Sequence, residues 1–439
     1  MIMASRTVFI WAIMAVASSI VFASPSVSDV SYWQNPTSRL VKVTYTLSGE
    51  SGVPLLDIRT NGVSIGWSNL RGAYGDVHKV VTPGTGKTIW WNPNKAWPGH
   101  SLGSGVTAVV RVWPKNNPPD VMVVNCERQY EGKDDVVQYY ASFEHLPEGT
   151  VNCDAYKTAS KMAFRKIPAA GIVWRRGSPA GEKGRDDIET QHKVRLTSNY
   201  YLGVFEVTQS QYKRFTHSSV FVGDVYFPVD GQMRPRENIS WKVVRGADAV
   251  WPGETREQAY NSVSETCFIG GLRTHTGGLK FDLPTEAQWE FACRAGSGSQ
   301  FPDGTSLTTG TEPSWPYLES HARYKNNYGA DSTDKGSPLS TNEATAVVGT
   351  YMPNRWGLYD MLGNVYEMTL DWCVEFSESS EIVDNPHGAD NPADSNNKRT
   401  MRGGAYLYAP KDVRSADRYG VAQGQLTRHI GFRMCLPLD

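Results

Sequence analysis

The chain has no Cys-x-x-Cys pair among its six cysteines, Cys126, Cys153, Cys267, Cys293, Cys373 and Cys435. Zinc ribbons and thioredoxin-like redox sites depend on that spacing, so both are excluded. None of the nine histidines stands four residues from another, which removes the paired-histidine helix of many metal enzymes. Charge of one sign never accumulates, and 44 Lys and Arg against 45 Asp and Glu leave a formal net charge of -1. A nucleic-acid or membrane-surface partner would need a basic field that is missing here. No long apolar run follows residue 22, so no internal membrane span is expected.

What is present begins with a leader. Arg6 supplies a positive n-region, Val8 to Phe22 is mostly apolar, and Val21-Phe22-Ala23 reads as a small-residue cleavage site before Ser24. The expectation is a signal peptide over 1–23 and a secreted, periplasmic or extracellular protein with no membrane contact after cleavage. A lipid anchor would need a cysteine just after the cut, and the first is Cys126. Disulfides are permitted in such a compartment, although six cysteines allow fifteen complete pairings and spacing selects none.

At 439 residues the chain exceeds what one core usually fills, so two or more domains are expected. Over 24–118, strand-like segments recur at Leu40–Leu47, Leu55–Ile58, Val77–Val81, Thr88–Trp91 and Val106–Trp113. Turn signals such as Asn61-Gly62 and Pro83-Gly84 separate them, and the pattern predicts a small immunoglobulin-like β-sandwich. Thr82-Pro-Gly-Thr-Gly-Lys-Thr88 resembles the end of a phosphate-binding loop, but Val81 stands where glycine is needed and the following residues read as a strand. A hairpin is the better reading. Residues 119–161 read as a linker or a connecting strand pair, with Cys126 and Cys153 placed to staple it.

Beyond residue 162 short helices stand among long loops. Thr208 with Gln211, and Thr285 with Gln288, have capping-box spacing, and Gly296 reads as the end of the second helix. Trp289, Ala292 and Cys293 form its apolar stripe. The stretch Asn354 to Trp372 sets Asp360, Asn364, Glu367 and Asp371 among glycines and aromatics. Those oxygen-bearing side chains suit a hard cation or a buried polar loop.

Five segments occur in order: Tyr200-Tyr-Leu-Gly-Val-Phe-Glu-Val-Thr208, Leu283-Pro-Thr-Glu-Ala-Gln-Trp-Glu290, Gly357-Leu-Tyr-Asp-Met-Leu-Gly-Asn-Val-Tyr-Glu367, Arg402-Gly-Gly-Ala-Tyr406 and Ile430-Gly-Phe-Arg433. Together they resemble the formylglycine-generating enzyme, or sulfatase-modifying factor, family over 162–439. The resemblance implies an α+β, loop-rich variant of the C-type-lectin fold. It also implies calcium held by the side chains of Asp360 and Glu367 with the carbonyls of Gly363 and Val365. A weaker site would begin at Asn326 and Asn327, and a disulfide would join Cys293 to Cys435.

The oxidases of this family convert the cysteine of a Cys-x-Pro-x-Arg segment to formylglycine with copper held by two cysteines. Tyr408 stands where the first of these would be, and no cysteine lies between Cys373 and Cys435. Thiolates suit copper(I), so copper is not expected as a cofactor. A family branch with a histidine-bound iron is disfavoured by the scattered histidines. The function expected is therefore a non-oxidase member that binds a protein or glycan in the former catalytic groove, lined by Tyr406, Tyr408, Arg414 and Arg418. The alternative is an active enzyme that modifies a sulfatase or another substrate through unidentified residues.

Overall fold

The structure is a computed structural model that describes residues 23–100, 102–127, 136–216, 225–227, 232–327, 344–377, 379–392 and 397–438. The leader, Ala23 apart, lies outside the described residues. Among the described residues no helix is long and apolar enough to cross a membrane.

The N-terminal module is a two-sheet sandwich. One sheet has the order β1-β2-β6-β5, from β1 (Ser26–Gln34), β2 (Val41–Ser48), β5 (Tyr74–Gly75) and β6 (Gly84–Trp91). The other has the order β4-β3-β7, from β3 (Gly52–Thr60), β4 (Val63–Ser64) and β7 (Val106–Pro114). Alternation decides the packing: Val41, Val43, Tyr45 and Leu47 of β2 point inward with Leu56 and Ile58 of β3. The glycine-rich 84–88 stretch lies in β6, paired antiparallel to β2, as a strand should be. Val77–Val81 departs from expectation. It makes no strand because His78 adopts a left-handed φ of 60° and turns the chain, although Val77 and Val81 still reach the core.

Residues 119–161 contribute β8 (Val121–Asn125) and β9 (Val137–Tyr140) to a five-stranded antiparallel sheet, order β19-β13-β10-β8-β9. Its other strands are β10 (Lys161–Ile167), β13 (Tyr200–Gly203) and β19 (Cys435–Pro437). Met122 and Val124 face the largest core while Val121 and Val123 face a smaller one behind the sheet. A three-stranded sheet joins β11 (Ile172–Arg176), β12 (His192–Leu196) and β15 (Val383–Asp384). A four-stranded sheet, order β17-β16-β14-β18, joins β14 (Tyr366–Trp372), β16 (Lys398–Arg402), β17 (Arg418–Ala422) and β18 (Ile430–Gly431).

Short helices close these sheets: α1 (Pro93–Ala96), α2 (Gln209–Phe215), α3 (Trp241–Arg245), α4 (Arg256–Asn261), α5 (Phe268–His275), α6 (Glu286–Arg294) and α7 (Pro316–His321). Both expected capping boxes form, Thr208 with Gln211 on α2 and Thr285 with Gln288 on α6. The α6 helix ends at Arg294, two residues before Gly296, and Ala295 is its cap in the left-handed conformation at φ 45°.

The modules are packed together. Val53 and Leu55 leave the opposite face of β3 from Leu56 and enter the core of the second module. The Tyr139 amide donates to the His78 carbonyl at 2.7 Å. His78 stacks on Tyr140 at 4.6 Å, and Trp67 lies 4.1 Å from His145.

Both disulfide expectations require correction, because no disulfide forms among the described residues. Cys126 packs in the large core and Cys153 beside the smaller one, on opposite faces of the same sheet. Cys293 Sγ faces Ser415 Oγ at 3.7 Å, whereas Cys435 Sγ faces Gln288 Oε1 at 3.7 Å. Gln288 and Cys293 are separated by roughly 7.5 Å of rise along α6, so Cys435 sits at the wrong end of that helix to bond Cys293.

Candidate functional site

The site is built on the loop that leads into β14. Asn354 opens it: its Nδ2 donates to the Ala292 carbonyl at 2.9 Å, and its Oδ1 accepts from the Trp356 amide at 3.0 Å. Asp360, Gly363 and Asn364 then take φ values of 55°, 76° and 56°. A side chain at Gly363 would put its Cβ 2.2 Å from the Arg323 carbonyl oxygen, so only glycine lets the two backbones approach. Asn364 locks the coil by donating to Glu206 Oε2 at 2.6 Å and accepting from the Ala346 amide at 2.8 Å.

Glu367, the first buried acid of β14, is held from two sides. Arg433 donates through Nη2 to Oε1 at 2.6 Å and through Nε to Oε2 at 2.7 Å, while Trp289 Nε1 donates to Oε2 at 2.7 Å. Asp360 accepts the Gly349 amide on Oδ2 at 2.7 Å, and its buried Oδ1 has no hydrogen-bond partner. Burial, together with the charge of Glu367, pushes the Asp360 carboxyl up to about 6, and burial pushes Glu206 well above the carboxylate range. Three buried acids thus share Arg433 as their main counter-charge. Such a set takes up protons or a cation.

These residues fit a calcium ion in a limited way. Asp360 Oδ1 is an orphaned hard acceptor, and Glu367 Oε1 carries a single donor and keeps a lone pair. At the weaker position the polar atoms of Asn326 and Asn327 are partly used within the protein. Asn327 spends Oδ1 on the Tyr324 amide and Nδ2 on the Ala322 carbonyl, and its own carbonyl accepts from Arg323. Asn326 Nδ2 donates to Glu319, and residues 341–343 lie outside the described set. Asp186, Glu189 and Asp417 also place ligand atoms within 4.8 Å of one another. Arg414 occupies that cluster, donating to both oxygens of Glu189 at 2.8 and 3.0 Å.

The expected ligand groove is corrected at three of its four residues. Tyr406, Arg414 and Arg418 are buried. Arg414 serves Glu189 and Glu182, and Arg418 donates to Glu286 at 2.9 Å and to the carbonyls of Ile188 and Val374, each at 2.7 Å. Their guanidinium groups are committed to the fold. Sequence reasoning missed the network Arg418 joins, in which Glu286 and Glu290 of α6 meet Arg176, Arg294, Arg402 and Arg418. Burial opposes ionisation of Glu286, but the charges of Arg418, Arg176 and Arg402 overcome it and hold the carboxyl near about 2. The available signal was Glu286, Glu290 and Arg294 on a helix whose other residues, Gln288 apart, are apolar.

Tyr408 is half-buried, and its surroundings are aromatic. Its ring lies 4.9 Å from Tyr366, 6.4 Å from Tyr419 and 5.7 Å from His429, and Tyr419 is 41% exposed. Tyr419 and His429 carry this patch without having been anticipated. Beneath it Tyr366 Oη donates to Asp417 Oδ2 at 3.2 Å, and burial pushes the Asp417 carboxyl up to about 8. One Gly-x-Ser-x-Gly string, Gly62 to Gly66, falls in the sandwich. Its Ser64 Oγ donates to Asp57 at 2.6 Å within the β3–β4 hairpin.

Sheets with few helices, the motif loop entering β14, and the acid–arginine core around it define a formylglycine-generating type of domain. Residues 159–437 match the sulfatase-modifying factor enzyme 1-like domain, and the chain belongs to that family. A serine/threonine-protein kinase Pkn1 of Chlamydia pneumoniae is 30% identical over 268 residues, 60% of this chain and 36% of the kinase. The formylglycine-generating enzyme of Bos taurus is 23% identical over 271 residues, 55% of this chain and 66% of the enzyme. The chain thus spans between about a third and two thirds of these relatives' lengths. Among solved structures, PvdO from Pseudomonas aeruginosa aligns at 23% identity and a TM-score of 0.44, covering 63% of this chain and 94% of that one.

Proposed function

We propose that this is an exported, non-oxidase member of the family that binds a protein or glycan ligand through the patch of Tyr408, Tyr419 and His429. The observation that supports this most is the replacement at the copper position. Tyr408 stands where the resemblance puts the first copper cysteine, and its ring joins an aromatic cluster open to solvent at Tyr419. Aromatic faces with polar tips supply contact area at low entropic cost, whereas the phenol of Tyr408 is a poor substitute for a thiolate on copper(I). Arg428, 5.3 Å from the Tyr226 ring, adds a cation nearby in the sequence to His429. Binding should be measured on arrays of glycans and of extracellular proteins, with Tyr419→Ala as control. A ligand whose affinity falls at least tenfold in that variant, at unchanged melting temperature, supports the reading. Ligands indifferent to Tyr419 and Tyr408 would remove it.

A structural calcium is part of the same reading. Asp360 Oδ1, Glu367 Oε1 and the carbonyls of Gly363 and Val365 would hold it and fix the loop; no catalytic step is assigned to it. Added calcium should raise the melting temperature of chelator-treated protein, and Asp360→Asn should abolish that rise. An equal rise in the variant would move the ion elsewhere.

A further inference from the structure

A second cavity lies away from the aromatic patch, where the end of β12, the start of α4, the first turn of α6 and the 385–387 loop meet. Its volume is about 350 Å3, inside the range of small-ligand sites. The walls are apolar and fixed. Trp251, Tyr260, Leu283 and Leu370 are all buried, and the Trp251 indole N–H is already spent on the His387 carbonyl at 3.1 Å. What faces the space from Trp251 is therefore ring rather than donor.

The polar groups of the lining are unevenly used. Gln288 Oε1 accepts the Thr285 amide at 2.9 Å, which leaves Nε2 with no partner among the described residues. Asn199 Oδ1 accepts the Ala170 amide at 3.0 Å, which leaves its Nδ2 in the same position. At Gln288 and Asn199 the amide oxygen is used within the protein while the amide donor remains, so a ligand that complements these two groups offers oxygen acceptors. At the mouth Glu254 and Arg256 carry opposite charges, and neither sign is favoured. An apolar face, several oxygen acceptors and no net charge describe a sugar ring, whose C–H face packs on aromatic and aliphatic walls while its oxygens take amide donors.

We propose that this cavity binds a neutral saccharide of one or two pyranose rings. The site is independent of the aromatic patch and needs no metal. Saturation-transfer NMR and calorimetry on the full chain, with a panel of methyl pyranosides and neutral disaccharides, test it directly. Two variants are used, each with its melting temperature measured beside binding. Ser198→Trp fills the cavity from a half-buried position, and Gln288→Glu retains the capping acceptor while turning the remaining donor into an oxygen. At least one saccharide is expected to bind saturably, with affinity lowered tenfold or more by each variant and unchanged by Tyr419→Ala. The proposal is overturned if no saccharide binds, if binding survives Ser198→Trp, or if an apolar dye fills the cavity and no saccharide displaces it. Loss in Tyr419→Ala alone would assign the sugar to the aromatic patch instead and equally overturn this site.

Discussion

Glu367 and Arg433 show how one residue's environment sets its role. Breaking a buried ion pair from one side leaves an uncompensated charge, so Arg433→Met should cost about 3–5 kcal/mol in urea unfolding. The double variant Arg433→Met/Glu367→Leu should cost clearly less than the single one, because the stranded carboxylate is then absent. Glu367 stood out in the sequence through its motif, as an expected calcium ligand. Its partner did not, because nothing in the spacing of Glu367 and Arg433 says that β14 and the chain after β18 lie side by side. The same holds for Arg414 and Arg418, whose charge read as groove chemistry until Glu189 and Glu286 were seen against them. A second residue-scale prediction concerns pH. Burial raises Asp360 to about 6 and Asp417 to about 8, so the folded state holds protons that the unfolded chain has released. Their stabilising contribution is complete below the unfolded carboxyl pKa of about 4 and is lost as pH rises through 6 to 8. In chelator, the denaturation midpoint should fall across that window, and Asp417→Asn should flatten the upper part.

Among the elements, α6 carries the most information in the least sequence. Its capping box satisfies orphan amides at one end, and Thr285→Ala should cost about 1 kcal/mol by thermal or urea unfolding. At the other end Ala295 occupies a left-handed conformation that disfavours a Cβ, so Ala295→Gly should be neutral or stabilising by up to about 1 kcal/mol. Helices with strong local signals, α2 and α6, could be read from the chain because capping is a contact between near neighbours. The α5 helix could not. Cys267 is its N-cap through a thiol, and Gly270 and Gly271 interrupt its pattern because the Ser264 and Phe215 backbones pass too close for a side chain. β8 and β9 were legible only as a linker or a strand pair, since their place at one side of a five-stranded sheet depends on β10 beyond them.

At the scale of the whole molecule the two modules share a joint that no local pattern announces. Val53 and Leu55 enter the second core only because β3 is buried on both faces. Burial holds His78 at about 4, and burial with the neighbouring His78 holds His145 at about 4. Both are neutral in the closed joint. Their stabilising contribution is present above the unfolded histidine pKa of about 6.5 and is lost as pH falls from there toward 4. Small-angle scattering should register a larger radius of gyration near pH 4 than at pH 7, with far-ultraviolet dichroism retained, and His145→Gln should reduce that pH dependence.

On the function proposed here, a member of this family has exchanged copper oxidation for binding, with Tyr408 in the place of a thiolate. That exchange is tested most directly by incubating the purified chain with a Cys-x-Pro-x-Arg peptide, copper(I) and oxygen, and following the aldehyde by mass spectrometry. No formylglycine is expected above the protein-free control. Multiple turnovers that depend on the protein would contradict the exchange.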